Sequence, residues 1–423
     1  MRIAYVTQSY PPMVSGASIV VKDLAENMAA RGHEVLVIAA SDRGESYKSV
    51  NRNLTVLRIR SIHNPFRVGQ KFMLAPHRDF IRALVDFQPD LIHTHDALQL
   101  GVLSLAYKHK RNIPVLLTIH ALPHFAAKYI PELFSGFRPT LETLLWSYAW
   151  IILPKFDAVT SPTLTTSGNV YAMTKIQPLS ISNGVDLEEF KNSDLPREEE
   201  SFLRERLGIP ANVPIILHVG RLDTDKRVDQ VICAAAQPLR ETSAHLLVIG
   251  DGRQKTALQN LCNSLGIDEK CHFPGYVLKE EGLPQIYRMA SAFVTASEIE
   301  TQGIVLLEAA ASGLPIVAWW ATCIPEIVHN SENGYLVAPG DIPALSNAML
   351  EILSHPSKAS RMGARGRSLV EEHKIQKSFT QYEQVYAELI TKMLPRPVSF
   401  ATKAHQSWIR AKEWMSMFSS IQM

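Results

Sequence analysis

The sequence predicts an α/β protein made of two Rossmann-like domains whose parallel sheets face a central cleft. Three observations carry this expectation. Short apolar runs alternate with amphipathic helical stretches through the first half, the order that builds a parallel sheet. The same alternation begins again at Pro214. Between the two cycles, the segment from Lys191 to Arg206 is charged, contains Pro196 and lacks a strand pattern, so the domain junction falls there. A chain of 423 residues also exceeds one ordinary core, since domains usually hold roughly 100–200 residues.

The first cycle opens with RIAYVT, followed by a helix over Val20 to Arg31 with Val20, Leu24 and Met28 at helical spacing, and then by EVLVIAA. TVLRI, DLIHTH, VLLTIH and DAVTSP are apolar runs bounded by polar or turn-forming residues, as buried parallel strands are, and they carry the sheet to about residue 160. The second cycle gives IILHVGRL, LLVIGDG, CHFPGY and AFVTAS, with helical stretches between them. After Ser378, FTQYEQVYAELITKM reads as a further helix, and PRP introduces a tail bearing aromatic residues.

Composition narrows the class. Apolar residues make up 46% and charged residues 20%, values of a folded globular protein. The formal charge of +2 gives no basis for a nucleic-acid binder. Cys233, Cys262, Cys271 and Cys323 form no close CxxC pair and read as reduced, buried thiols. Met1 runs directly into a strand without a charged-then-apolar leader, so the expected location is the cytoplasm. The most apolar stretch, Leu141 to Leu153, contains Glu142 and falls short of the ~20 residues that span a bilayer.

The most informative segment is TASEIETQGIVLLEAAASGLPIVA, from Thr295 to Ala318, in which seven residues separate Glu300 from Glu308. TQG lies between a strand and an apolar helix. Backbone amides at that helix start, around Gly303 and Ile304, suit a diphosphate, because they lack intrahelical acceptors and the helix dipole favours an anion. Glu308, two turns on, then reaches a ribose. The bland alternative is one loop glutamate and one exposed helical glutamate. In HVGRLDTDK, Arg221 and Lys226 lie just past a strand end, where ligands of open α/β sheets bind, and two cations there neutralise a leaving diphosphate. For an isolated pair, two solvated surface cations are the alternative. Asp223-Thr224-Asp225 has the look of a metal-binding DxD but sits inside this segment, and it reads as a loop.

The Glu300 to Glu308 segment closely resembles the glutamate-seven-residues-glutamate signature of the retaining glycosyltransferases of family 4, which have the GT-B fold. The resemblance implies that Glu300 lies near the transferred sugar, that Glu308 binds the donor ribose, and that Arg221 and Lys226 serve the leaving diphosphate. It also implies that VIGDGRQK, with Gly250, is the glycine turn of the donor domain, and that Tyr276 and Val277 in FPGYV pack against the donor base. Together these matches cover most of residues 214 to 340. In the first half, Gly16 stands where the family usually has a glycine pair; Ser15-Gly16-Ala17 fits in part, and an ordinary tight turn is the alternative. His120, ending VLLTIH, corresponds to a family histidine that contacts the transferred sugar, although a lone strand-end histidine is more often structural. SNGVDLEEF, from Ser182 to Phe190, resembles a family landmark and reads as a structural turn. His93 and His95 have metal-like i, i+2 spacing without an identifiable third ligand, and neither is assigned to the site.

The resulting expectation divides the chain into an acceptor domain at 1–190, a nucleotide-sugar donor domain at 191–376, a helix at 377–394 crossing back to the first domain, and a basic amphipathic tail at 395–423. The resemblance implies a retaining hexosyltransferase using a UDP-glucose-like donor as co-substrate, with no cofactor and no metal. Mechanistically, Arg221, Lys226 and helix amides stabilise the departing phosphate, which helps to deprotonate the acceptor, while Glu300 orients the sugar. SEIETQGIVLLEA is most similar to bacterial diacylglycerol glucosyltransferases and related lipid-modifying enzymes, which points to a lipid acceptor; a soluble sugar or polysaccharide precursor is the alternative. The aromatic stretch Phe125 to Phe156, with Trp146 and Trp150, and a tail in which Ala404, Trp408, Ala411, Met415 and Phe418 follow helical spacing both suit a bilayer surface. Arg396, Lys403, Arg410 and Lys412 against Glu413 favour an anionic one, so the inner face of the cell membrane is the expected peripheral location. Packing onto the protein is the alternative for both. Of the rival classes, a nucleotide-sugar epimerase of the same fold needs no acceptor, a dinucleotide oxidoreductase lacks GxGxxG in either half, and a non-catalytic binder has no need of Arg221, Lys226, Glu300 and Glu308 together.

Overall fold

The structure is a computed structural model that describes residues 1–13, 15–63, 71–73, 75–127, 136–191 and 195–393. The basic tail expected at 395–423 lies outside the described residues. The strands are β1 (Arg2–Val6), β2 (Glu34–Ala40), β3 (Tyr47–Asn51), β4 (Leu54–Ile59), β5 (Ser61–His63), β6 (Lys71–Met73), β7 (Leu91–Thr94), β8 (Val115–Thr118), β9 (Ala158–Ser161) and β10 (Leu179–Ser180) in the first half. In the second half they are β11 (Ile215–Val219), β12 (His245–Ile249), β13 (Cys271–Gly275), β14 (Ala292–Thr295), β15 (Ile316–Trp319) and β16 (Gly334–Val337).

The first sheet runs β10-β9-β8-β7-β1-β2-β4-β3 and is parallel except for the edge hairpin β3–β4. The second runs β13-β12-β11-β14-β15-β16 and is parallel throughout. β5 and β6 form a separate two-stranded ribbon. The inner strands of each large sheet are buried on both faces, which is why they are continuous apolar runs, whereas the edge strands β3 and β10 are exposed. Alternate residues of β1 show the division: Ala4 and Val6 join one core cluster, Ile3 and Tyr5 the other. Full burial of each Val, Leu or Ile side chain contributes roughly 1.5–3 kcal/mol.

The helix Ile375–Lys392 belongs in sequence to the end of the second half but packs on the first sheet. Phe379, Tyr382, Tyr386 and Leu389 lie along one helical face and share a cluster with Ile3, Tyr5, Val35 and Val37. Tyr386 Oη lies 3.1 Å from Tyr5 Oη. The two sheets are therefore tied together at both the 181–191 connection and this returning helix.

Candidate active site

In open α/β sheets ligands bind beyond the carboxyl ends of the strands, and the predicted residues of the second domain leave from those ends. Lys226 follows β11 and Glu300 follows the neighbouring β14. Their side chains meet, with Nζ donating to Glu300 Oε1 at 2.6 Å, to Ser297 Oγ at 3.3 Å and to the Ile299 carbonyl at 3.3 Å. An ammonium has three protons, so all of them are directed at the 297–300 loop. Arg221 donates from Nη2 to Asp225 Oδ2 at 3.0 Å and from Nη1 to Asp223 Oδ2. The Asp223-Thr224-Asp225 triplet is thus a collar of carboxylates on Arg221.

The helix Ile304–Ala311 begins at Gly303, whose φ of 77° is the left-handed backbone that glycine adopts without strain. A Cβ there would lie 2.9 Å from Leu306 Cδ1 and 3.7 Å from the Glu300 carboxyl carbon. Across the cleft, the helix Gly16–Ala30 begins behind a capping box in which Ser15 and Ser18 serve each other's backbone amides. A Cβ on Gly16 would lie 3.6 Å from Ile304 Cδ1. The amino ends of two helices, one from each domain, therefore face one another, and both dipoles favour an anion between them.

Glu308 is 6% exposed and accepts a 2.9 Å hydrogen bond from Tyr287 Oη. Burial raises its pKa to about 7, with Glu189 and Asp23 adding to the rise and Lys279 and Tyr287 opposing it. Asp23 belongs to the helix that starts at Gly16, so a first-domain carboxylate already senses Glu308. Tyr276, after β13, is 42% exposed, and the partial burial of its phenol together with the charge of Glu308 pushes it up to about 12. Val277 is buried in the domain core. Gly250 has φ 141° and a Cβ there would lie 1.8 Å from the Gly220 carbonyl oxygen, so it allows the turns after β11 and β12 to touch. Of the predicted residues, Gly250 and Val277 thus shape the domain, whereas Gly16, His120, Arg221, Lys226, Tyr276, Glu300, Gly303, Ile304 and Glu308 gather around the cleft.

The loop carrying Glu300 is held by the opposite domain. Ile299 joins the first domain's core cluster. The Thr301 carbonyl accepts from Thr163 Oγ1 at 2.8 Å and Thr166 Oγ1 at 3.1 Å, and Thr301 Oγ1 donates to the His120 carbonyl at 3.2 Å. Gln302, buried, accepts from the Asn183 amide at 2.8 Å and donates to Ser182 Oγ at 2.7 Å. Glu326 caps the helix Leu164–Thr174, accepting from Thr165 N at 2.7 Å and Leu164 N at 3.1 Å. Ser182, read from sequence as part of a structural turn, is thus a partner of the Glu300 loop.

Sequence reasoning missed Tyr287, Lys279, Gln302, Glu326 and His95. His95 Nδ1 lies 2.8 Å from His120 Nε2. The HTHD spacing that first suggested a metal was a signal for it: His93 in β7 and His95 just past its end project to one side, next to β8, two residues beyond which His120 stands. For the other four, the contacts arise from chain segments far apart in sequence.

Two facing parallel sheets with a helix returning from the second half to the first are the architecture of the GT-B glycosyltransferases. Residues 14–189 match the family model described as Glycosyltransferase Family 4, and residues 199–369 match that described as Glycosyl transferases group 1. The chain is 30% identical over 326 residues to the alpha-monoglucosyldiacylglycerol synthase of Streptococcus pneumoniae, covering 75% of this chain and 71% of that one. Sucrose-phosphate synthase from Thermosynechococcus elongatus superposes with a TM-score of 0.77 at 23% identity, over 92% of this chain and 99% of the other. Anabaena HepE in complex with UDP-glucose superposes with a TM-score of 0.71 at 19% identity, over 92% and 100%. This chain belongs to the family 4 glycosyltransferases and is a hexosyltransferase.

Proposed function

We propose that the protein is a retaining hexosyltransferase that moves a hexose from a UDP-glucose-like nucleotide sugar to a hydroxyl of a membrane lipid such as diacylglycerol. The observation that carries the transferase chemistry is the Lys226–Glu300 pair at 2.6 Å, beside a helix amino end and within one helix of Glu308. The donor diphosphate lies against the amides after Gly303 and the facing end at Gly16, drawing Lys226 and Arg221 to its charge. Glu300 then accepts hydrogen bonds from the sugar, Glu308 takes the ribose hydroxyls, Tyr276 lies along the base, and His120 contacts the sugar from the other domain.

In the transfer step the bond between the anomeric carbon and the phosphate oxygen breaks, and the acceptor oxygen bonds to that carbon on the same face. The acceptor proton passes to the departing phosphate oxygen, so the nucleoside diphosphate leaves with the bonding electron pair. Positive charge fixed before the reaction stabilises this oxygen without reorganisation. The lipid acceptor is supported by the 30% identity to a protein named as an alpha-monoglucosyldiacylglycerol synthase. Exposed Phe137, Leu144 and Ile151 on and beside the helix Arg138–Ile152 of the first domain suit an acyl or bilayer surface. Among the described residues no helix is long and apolar enough to cross a membrane.

The test is nucleotide release from UDP-glucose, UDP-galactose and GDP-mannose, each with and without diacylglycerol in mixed micelles. Lipid-dependent release with a glycolipid product supports the reading and identifies the donor. Turnover only with a soluble sugar replaces the acceptor, and interconversion of the donor sugar without any acceptor replaces the reaction by epimerisation.

A further inference from the structure

Two imidazoles, those of His95 and His120, leave adjacent strands β7 and β8 side by side and stack with ring centroids 5.1 Å apart and an interplanar angle of 23°. Their shared hydrogen bond, His95 Nδ1 to His120 Nε2 at 2.8 Å, uses one nitrogen of each ring. Burial lowers the pKa of His120 to about 4 and that of His95 well below its ordinary value, so both rings are neutral at pH 7 and a single proton lies between them.

The remaining nitrogen of His95 decides which ring donates. His95 Nε2 is buried and has no hydrogen-bond partner. If His120 donated from Nε2, His95 would carry its own proton on that buried atom, an N–H with nothing to bond. If His95 donates from Nδ1, the buried atom is a bare lone pair. Buried donors without acceptors are rarer in proteins than under-used acceptors, so the second arrangement prevails. His120 then holds its proton on Nδ1, the nitrogen away from His95. His120 is itself only half-buried, and its carbonyl accepts from Thr301 of the Glu300 loop.

The His95 ring is in turn backed by a fixed neighbour. His93 lies 4.1 Å away centroid to centroid, and it is bound on both nitrogens, by Tyr386 Oη at 2.8 Å and Thr118 Oγ1 at 2.6 Å. Tyr386 comes from the returning helix Ile375–Lys392, so that helix supports the orientation of the ladder from below.

We propose that His95 is a positioning residue that locks His120 in its Nδ1–H tautomer, so that His120 meets the transferred sugar as a hydrogen-bond donor. The last clause rests on the placement of His120 at the sugar in the function proposed above; the tautomer does not.

Long-range 1H–15N correlation spectra of histidine-labelled full-length protein read the tautomer directly, with His120→Asn assigning the His120 signals. The expected result is Nδ1–H in the wild type, a changed or mixed tautomer in His95→Phe, and recovery in His95→Asn, whose amide keeps a donor near the lost Nδ1. In parallel, KM for UDP-glucose rises about tenfold in His95→Phe and recovers in His95→Asn, as expected for one misdirected hydrogen bond. An Nε2–H His120 in the wild type overturns the proposal, as does an unchanged tautomer in folded His95→Phe. A locked Nδ1–H tautomer combined with wild-type kinetics in His120→Phe, which has no donor to offer, leaves the role of His95 standing and overturns the placement of His120 at the sugar.

Discussion

Lys226 Nζ lies 2.6 Å from Glu300 Oε1, and each side chain is 15% exposed. A donor diphosphate that recruits Lys226 has to share it with this carboxylate. Glu300→Gln therefore has two opposite effects. UDP, which has no sugar for Glu300 to hold, binds several-fold more tightly because the ammonium is released, while transfer falls roughly a hundredfold because the sugar loses its acceptor. Lys226→Ala weakens UDP and slows transfer together, by about the same factor of a hundred. Calorimetric titration with UDP beside steady-state kinetics checks this. Equal weakening of UDP by both variants would show that the pair does not compete with the diphosphate.

The pKa of about 7 at Glu308 makes donor binding pH-dependent. Ribose hydroxyls are best accepted by a carboxylate, so UDP affinity rises as pH increases through about 7, by about tenfold between pH 6 and 8. Stability of the donor-free protein moves the other way. The folded pKa lies above the ordinary 4.5, so the stabilisation from holding the proton is complete below 4.5 and is lost as pH rises through 7, on the order of 3 kcal/mol. The groups facing Glu308 are Tyr287, Tyr276, Lys279, Glu189 and Asp23. Glu308→Gln removes both slopes. A flat UDP affinity in the wild type across this range would mean that the carboxylate is already ionised.

Two of the predicted glycines, Gly250 in the second domain and Gly16 in the first, separate fold from site. Gly250→Ala puts a methyl 1.8 Å from the Gly220 carbonyl oxygen at φ 141°, so backbone has to move, at a cost of at least about 3 kcal/mol. Its melting temperature falls by roughly 10 °C or the protein does not fold. Gly16→Ala meets only Ile304 Cδ1, at an ordinary 3.6 Å, and folds normally. Its methyl stands between the two helix ends, so KM for the nucleotide sugar rises several-fold. A Gly16→Ala variant with wild-type KM would place the diphosphate elsewhere.

These contrasts show what the sequence can and cannot reveal. The parallel strands are legible because burial on both faces demands uninterrupted apolar runs such as Val35 to Ala40. The edge strand β3, YKSVN, is almost wholly exposed and carries no such signal. Glu300, Gly303 and Glu308 are legible together because one strand-to-helix turn holds them in fixed spacing. The partners of that turn are not. Thr163, Thr166 and Ser182 reach it across more than a hundred residues, through hydroxyls whose local sequence suits any helix cap or turn. The pairing of β7 with β8 is what brings His95 to His120, and only the strand order gives it.

Glu326 offers the sharpest test of whether closure and chemistry are one event. Its carboxylate binds the first amides of the helix Leu164–Thr174 across the domain boundary, at 2.7 and 3.1 Å, where the helix dipole favours negative charge. Thr163 of that same helix end holds the Thr301 carbonyl, one residue from Glu300. Glu326→Ala removes a cap of about 1–2 kcal/mol that exists only when the domains meet. The closed form becomes less populated, so KM for the donor rises about tenfold and the radius of gyration measured by X-ray scattering increases, while saturating donor restores most of kcat. Glu326→Gln keeps one acceptor oxygen and falls between. A variant that merely destabilised the first domain would lose melting temperature with unchanged radius and KM, and that outcome would reduce Glu326 to an ordinary helix cap.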